Sequence, residues 1–333
     1  MSRPDPALFE VLPFSEKCLS SYLGFASRAF GPRSYQADER YIRWMYNESP
    51  HGALSDCALV AYGERIVGCI HKLRLTWRID KERALVATAH NLFVDPDYRS
   101  GLGATLILAA MRGETAIFVP GAAGAAGLMY EKLRWHSIAC HWYRRLWPSP
   151  LGLLRAVGKG SAIYDDGGRG ELQLTSAPNG DTIDACVATL NDLAGESARP
   201  VWSRETFVWR FLHPLGPRHL LARSGNRTFA IFSCGLRKRI RIARLMDAAF
   251  DDRERFVELL RWTTGVLARR GVVVSWSYSS HEALNAVIAE LQWKAIAPAP
   301  RSFLFRRGAG APHAAAINAS AGDFGFESIL DHP

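Results

Sequence analysis

The chain of 333 residues is about twice a typical domain of ~150 residues, which leaves room for two hydrophobic cores and excludes a disulfide-stapled miniprotein. With 48% hydrophobic, 22% charged and 11% aromatic residues, the composition is that of a folded globular protein, neither disordered nor collagen-like. Lys and Arg number 41 against 32 Asp and Glu, a formal charge of +9, which biases the surface toward anionic ligands: phosphorylated small molecules, nucleic acids or acidic membrane faces. Cys18, Cys57, Cys69, Cys140, Cys186 and Cys234 form no Cys-x-x-Cys pair and no His cluster accompanies them, so reduced thiols are expected, with no structural metal and no disulfide framework. No stretch approaches the ~20 apolar residues of a membrane span; Ala116 to Tyr130 comes nearest and is broken by Pro120, Gly121, Gly124 and Gly127. The opening residues hold no apolar run of signal-peptide length, and a cytoplasmic location is the expectation.

Helical and strand periods alternate from the start. Glu16 to Phe30 and Glu39 to Asn47 read as helices, and Cys57 to Tyr62 and Arg65 to Arg74 as strands across the turn Gly63-Glu64. A strand from Ala84 to Val94 ends in Asp95-Pro96-Asp97-Tyr98-Arg99-Ser100-Gly101-Leu102-Gly103, ahead of an apolar helix from Ala104 to Arg112. A short strand (Ala116 to Val119), a small-residue helix to Leu133 and aromatic strand material from Trp135 to Leu146 complete residues 1–150, read as a first domain. The composition of 151–170 suits a linker.

Residues 171–307 repeat this order. Glu171 to Ser176 reads as a strand, Asp181 to Leu193 and Ser203 to Leu212 as helices, and His219 to Arg223 with Thr228 to Leu236 as a hairpin about Gly225-Asn226. A strand from Ile240 to Ala248, a helix from Asp252 to Arg270, a strand from Val272 to Trp276, a helix from Ser280 to Leu291 and a strand near Ser302 to Arg306 follow. Gly63 matches Gly225, and Leu133-Arg134-Trp135 matches Leu291-Gln292-Trp293, at nearly the same offset. A tandem duplication of one α/β unit is the expectation. Residues 308–333, rich in Ala and Gly, are expected to be a disordered tail.

The turn after Val94 carries the first chemical signal. Amide groups in a glycine-rich turn and in the first turn of a helix have no intrahelical acceptor, and the helix dipole adds partial positive charge, so the place suits a phosphate or pyrophosphate. It is neither a dinucleotide fingerprint nor a P-loop, since G-x-G-x-x-G and Gly-Lys-Ser/Thr are both absent. The second signal is Ala126-Gly127-Leu128-Met129-Tyr130-Glu131-Lys132-Leu133-Arg134-Trp135, with a phenol on a helix that a proton transfer could use.

Together the two runs resemble the signature of the GNAT superfamily of acyl-CoA-dependent N-acyltransferases, in which Val-x-Pro-x-Tyr-Arg and a Gly-x-Gly/Ala loop precede a helix and Ala-x-x-Leu-Tyr-x-Lys-Leu-Gly-Phe follows. The sequence departs from that pattern where Arg99 stands one residue rather than two before Gly101, where Arg134 replaces Gly, and where Ala123 replaces a common Asn. The resemblance implies tandem GNAT-like domains of α/β (α+β) class, each a mixed, mainly antiparallel sheet flanked by helices. It implies acyl-CoA, such as acetyl-CoA, held by Phe93, Val94, Tyr98, Arg99, Ser100, Gly101, Leu102, Gly103 and Ala104. It further implies Tyr130 as general acid, and an amide near Phe93 or Val94 as oxyanion donor. His90, on the strand that approaches the acyl group in this family, is the first candidate base, with Asp95 and His136 behind it.

The second copy has lost both motifs, with Met246-Asp247-Ala248-Ala249-Phe250-Asp251-Asp252 in place of the glycine turn and Ile288 at the position of Tyr130. Its segments Val201-Trp202-Ser203-Arg204 and Trp209-Arg210-Phe211-Leu212-His213-Pro214 resemble tandem GNAT-like proteins of bacterial cell-surface polysaccharide pathways. Trp202, Trp209, Arg210 and His213 are thereby candidates for acceptor binding, and a primary amine on an amino sugar, free or nucleotide-linked, is the implied acceptor. The basic stripe Arg237-Lys238-Arg239-Ile240-Arg241 reads as a solvated strand edge. A FemAB-like aminoacyl transferase and a ligand-binding module with a decayed site are the alternative readings; nucleic acid is not the expected partner, and oligomerisation is left open.

Overall fold

The computed structural model describes residues 6–79, 81–99, 101–122, 124–147, 161–193, 197–237, 240–297, 302–307, 317 and 319. These fall into two compact units. The first takes the residues as far as Trp77, Arg83–Ile138 and the late strand Ser302–Arg307; the second takes most of the remainder.

In the first unit, β1 (Phe9–Pro13), β2 (Ala58–Tyr62), β3 (Arg65–Ile79), β4 (Glu82–Val94), β5 (Ala116–Ala122) and β6 (His136–Ile138) build one sheet. Its order is β1-β2-β3-β4-β5, then the strand Ser302–Arg307, then β6. β1, which the sequence did not announce, pairs antiparallel with β2 from Phe9 opposite Tyr62 to Pro13 opposite Ala58. β3 is buried on both faces from Ile66 to Leu73, the pattern of a central strand covered on each side. One face carries α3 (Leu102–Met111) and α4 (Gly124–Lys132), after α1 (Leu19–Phe30) and α2 (Glu39–Ile42) in chain order. Leu102, Leu106, Ile107 and Ala110 of α3 join Val60, Val67, Ile70 and Ala87 in one core. On α1, Tyr22 packs at a tilt on Phe14, and Phe25 meets Phe93 edge-on. The helix expected over 39–47 is α-helical only to Ile42 and continues as a π-turn from Arg43 to Asn47, which turns Trp44, Met45 and Tyr46 all inward.

The second unit's sheet is formed by β7 (His141–Leu146), β8 (Gly167–Arg169), β9 (Leu172–Thr175), β11 (His219–Ser224), β12 (Thr228–Arg237), β13 (Ile240–Ala249), β14 (Val274–Ser279) and β15 (Lys294–Ala295); the two-residue β10 (Arg199–Pro200) falls between β9 and β11 in chain order and is not part of it. Its order is β15-β7-β14-β13-β12-β11-β9-β8. All its pairs are antiparallel except β13 with β14. Helices Arg253–Arg269 and Glu282–Glu290 pack Phe256, Leu259, Leu260, Leu284, Val287 and Ile288 on Leu174, Leu220, Phe232 and Leu245. Four helix starts of this unit are capped by a side chain: Asn179 accepts from Thr182 N, Ser203 from Thr206 N, Asp252 from Arg255 N and His281 from Leu284 N, which satisfies orphan first-turn amides. The fold is therefore two mixed, mainly antiparallel sheets flanked by helices.

Four local expectations change. The run from Trp135 to Leu146 is two strands in two different sheets, and the last strand, β16 (Ser302–Arg307), lies between β5 and β6. Part of the supposed linker, Gly167–Arg169, is β8, paired with β9; residues 151–160 lie outside the described residues. The basic stripe straddles the β12–β13 connection, where Arg241 is buried and donates to the Arg270 carbonyl at 3.1 Å, while Lys238 and Arg239 lie outside the described residues. Within the tail, Ile317 and Ala319 are bonded: Ser280 Oγ donates to the Ile317 carbonyl at 2.7 Å, and Ala319 N donates to Ser280 Oγ at 2.9 Å.

Candidate functional site

The site is built on β4. Its parallel pairing with β5 covers Ala87 opposite Ile117 and Thr88 opposite Phe118, while the two strands run on to Val94 and Ala122. Beyond Thr88 the β4 edge that faces β5 is thus no longer in the ladder. Within this stretch Asn91 adopts φ 54, a left-handed kink that a non-glycine residue rarely takes. Such outliers cluster where a strand is re-aimed for function.

The amides that follow sort by edge. Asp95 N donates to the Val67 carbonyl at 2.8 Å, and a backbone bond from Phe93 reaches the Cys69 sulfur, so both amides face β3. Successive strand amides point to opposite edges, which leaves the Val94 amide on the open side. Of the two amides named from the sequence, only that of Val94 faces the open edge, and the Phe93 ring packs on Phe25 and Phe30. On the same open side the Val94 carbonyl accepts from Arg99 Nε at 3.2 Å.

After Val94 comes a single turn, Pro96–Tyr98, in which Asp95 Oδ1 accepts from Asp97 N. Gly101 then caps α3 at φ 88, a left-handed conformation that costs a side-chain-bearing residue ~1 kcal/mol or more. Gly103 is small for another reason: a Cβ there would stand 3.0 Å from Met129 Cε, so this glycine lets α4 approach α3. Leu102 is a core residue, Ala104 N donates to the Gly101 carbonyl, and Tyr98 packs on Phe9 and Tyr62 beneath the Arg65 guanidinium. Ser100 and Ala123 lie outside the described residues.

Tyr130, on α4, is 2% exposed and meets Trp135 edge-on at 4.8 Å. Burial pushes its phenol above the usual tyrosine range, so it stays protonated at any physiological pH. Asp95 is held by an ion pair with Arg65 at 3.1 Å, and His136 is an exposed residue of β6 opposite Phe305. His90 is half-buried and its Nε2 lies 2.9 Å from the Tyr46 hydroxyl.

That hydroxyl also lies 2.7 Å from His71 Nδ1, to which Asn91 Nδ2 approaches at 3.2 Å. Gln36 Nε2 donates to Asn91 Oδ1 at 3.0 Å. His71 is fully buried, and desolvation, followed by the nearby His90, lowers its pKa well below the ordinary histidine value. Sequence reading singled out none of Gln36, Tyr46, His71 and Asn91. One signal was available: His71 lies eight residues before the end of β3 at Ile79, and His90 eight after the start of β4 at Glu82, as cross-strand neighbours of a hairpin do.

In the second unit Trp202, Trp209 and Arg210 are buried. Trp202 packs on Phe207 and Phe211, and its backbone is bonded on both sides to the Asn191 amide. Arg210 lies over the Phe211 ring at 5.6 Å. All three are thus set in the interior of the unit, while half-buried His213 accepts from Leu215 N at 3.3 Å. Among the described residues no group of His, Cys, Asp or Glu is placed to hold a metal ion, and no helix is long and apolar enough to cross a membrane.

No family model matches the sequence, and no curated protein does. Solved structures do match. A GCN5-related N-acetyltransferase from Kribbella flavida superposes with a TM-score of 0.57 at 15% identity, over 90% of this chain and 71% of that one. Saccharomyces cerevisiae N-myristoyltransferase with bound myristoyl-CoA and inhibitors gives a TM-score of 0.63 at 13% identity, over 97% and 88%. A probable N-acyltransferase from Enterococcus faecalis V583 gives 0.56 at 10% identity, over 90% and 72%. Coverage of this extent over both sheets means that the chain has the fold of the GCN5-related N-acetyltransferases.

Proposed function

We propose that the chain is an acyl-CoA-dependent N-acyltransferase with its reaction centre on β4 of the first unit. The observation that carries this reading is the edge of β4 beyond Thr88, which leaves the ladder just before a glycine-capped helix. An extended pantetheine arm carries two amides and can pair with such an edge as an added strand would. Its pyrophosphate then meets the first-turn amides of α3 at Leu102 and Gly103, since those of Gly101 and Ala104 already donate to the Arg99 and Gly101 carbonyls, with Tyr98 and Arg99 before them in the chain. The thioester carbonyl lies against the Val94 amide, which holds the oxyanion.

His90 takes the proton from the attacking amine, whose lone pair forms the new C–N bond. As the C–S bond breaks, Tyr130 gives its proton to the departing thiolate. No covalent enzyme intermediate is needed, because holding amine and thioester together supplies much of the acceleration. Buried thiols agree with this: Cys57 and Cys234 are each pushed up to about 12 by desolvation, which disfavours a thiolate nucleophile.

The proposed acceptor is a primary amine on an amino sugar, supported by the +9 charge. We also propose that the second unit is a duplicated, non-catalytic copy. In its favour, Arg134 and Gln292 occupy matching helix ends with φ 59 and 58, and Gly63 and Gly225 matching hairpins with φ 59 and 63. The test is thiol release from a donor series running from acetyl- to myristoyl-CoA, with a panel of amines that includes nucleotide-linked amino sugars. Calorimetry showing no binding of any acyl-CoA would overturn the reading.

A further inference from the structure

We propose that Gln36, Cys69 and His71 are positioning residues that lock Asn91 in its left-handed kink, and that this lock keeps the edge of β4 beyond Thr88 open to acyl-CoA. What the edge binds rests on the acyl-transfer reading; the lock itself is built from contacts within the first unit.

The kink needs holding. Thr88 stands opposite Phe118 in the parallel ladder, and with residue 91 extended the same register would run on to Leu92 opposite Ala122, the last residue of β5. The open edge and a longer ladder are thus alternatives, and φ 54 at Asn91 selects the first. A glycine there would take either sign of φ with similar ease. Asparagine tolerates the left-handed region better than most residues, and it offers an amide by which it can be gripped.

Both ends of that amide are gripped. Gln36 Nε2 donates to Asn91 Oδ1 at 3.0 Å, and Asn91 Nδ2 lies 3.2 Å from His71 Nδ1. Reversing both amides keeps the grip: a proton on His71 Nδ1 then goes to the Asn91 oxygen, and the Asn91 nitrogen donates to the Gln36 oxygen. Gln36, on the short turn Tyr35–Ala37, and His71, on β3, are themselves buried, and the Tyr46 hydroxyl, 2.7 Å from His71 Nδ1, holds that ring in place. The backbone is held as well. Cys69 Sγ donates to the Asn91 carbonyl at 3.3 Å, and the same sulfur takes the backbone bond from Phe93. Burial pushes the Cys69 thiol up, which keeps its proton available to that carbonyl. One side chain thereby bridges the residues on either side of Leu92. Next to it, a Cβ on Gly68 would stand 3.3 Å from the Phe93 carbonyl, so this glycine lets the kinked strand come close. Three residues of β3, Gly68, Cys69 and His71, are thus fitted to one turn of β4.

The experiment measures hydrogen exchange of the segment 88–95 by mass spectrometry and coenzyme A affinity by calorimetry. It compares the native chain with Gln36→Met, Asn91→Gly, Asn91→Ala and the double variant Gln36→Met/Asn91→Gly. Gln36→Met removes one grip at similar volume; it is expected to speed exchange in 88–95 and to weaken coenzyme A binding by ~3- to ~10-fold, the worth of one buried hydrogen bond. In the Asn91→Gly background the same substitution is expected to change affinity by less than ~twofold, because Gln36 then has no side chain to act through. A merely structural role for Gln36 would give equal losses in both backgrounds, and that result overturns the proposal. So does native exchange or native affinity in a folded Gln36→Met chain. If Gln36→Met does not fold, Asn91 decides. Asn91→Ala loses the grip and is strained at positive φ, so it should bind coenzyme A more weakly than Asn91→Gly; equal or tighter binding overturns the proposal. If exchange responds as expected and the native chain binds no coenzyme A, the lock stands and the acyl-transfer reading falls.

Discussion

Tyr130 and Arg134 sit one helical turn apart, and each is poorly suited by residue type to its part: Tyr130 to the acid role proposed for it, Arg134 to its left-handed backbone. A phenol that burial holds above its usual range is a poor acid in water but a usable one beside a developing thiolate. Tyr130→Phe should lower kcat by ~10²-fold or more while the KM for acyl-CoA stays within twofold, as steady-state kinetics would show. Arg134 is exposed and holds φ 59 so that Trp135 N can reach back to the Tyr130 carbonyl at 3.1 Å. A left-handed backbone costs an L residue ~1–2 kcal/mol. Arg134→Gly should therefore raise stability by about 1 kcal/mol, read as a higher urea midpoint at unchanged m-value.

At the scale of elements, two devices hold helices to strands. Lys72 of β3 is buried and pairs with Glu114, just beyond α3, at 2.7 Å; Arg74 joins the same carboxylate at 2.6 Å and pairs with Asp56 as well. Removing one partner leaves a buried charge uncompensated, so Glu114→Ala should cost about 3–5 kcal/mol, measured by chemical denaturation. The second device is the cap of helix Glu282–Glu290, where His281 Nδ1 accepts from Leu284 N at 3.0 Å. Desolvation, then Arg199, lowers its pKa to about 4, so the native state holds it neutral while the unfolded chain protonates near 6.5. The unfolded state binds more protons between those values, and stability is present above pH ~6.5 and lost as pH falls toward ~4. His71, lowered in the same direction, adds to the loss. His281→Asn keeps a good cap and should flatten the decline in denaturation midpoint between pH 7 and 5.

At the scale of the whole molecule, sequence order and spatial order part company. β16 closes the first sheet between β5 and β6 although most of the second unit precedes it in the chain. Phe303, Leu304 and Phe305 are buried there, each worth ~1.5–3 kcal/mol of burial, against a typical net stability of ~5–15 kcal/mol. A chain ending at 297 should therefore lose cooperative folding of the first unit and retain that of the second. Calorimetry would show one unfolding transition lost and one kept. The net charge of +9 belongs to this scale too, as a bias on which ligands approach, and says nothing of where they bind.

Period and composition alone determined most elements, because a strand or helix announces itself in neighbouring residues. The glycine turn after Val94, the helix that Tyr130 sits on, and the matching ends at Arg134 and Gln292 were all legible because each is set by a few consecutive residues. Other features depend on residues far apart in the chain. The sequence could not show that Trp135 to Leu146 divides between two sheets, since strand propensity does not name a partner. It could not show that Gly103 makes room for Met129, or that Trp202, Trp209 and Arg210 turn inward, because burial belongs to the assembled unit. Least legible was the setting of His90, whose environment is made by Gln36, Tyr46, His71 and Asn91 from four elements; a 3-10 turn, a π-turn, two strands and one left-handed asparagine bring them within hydrogen-bond reach.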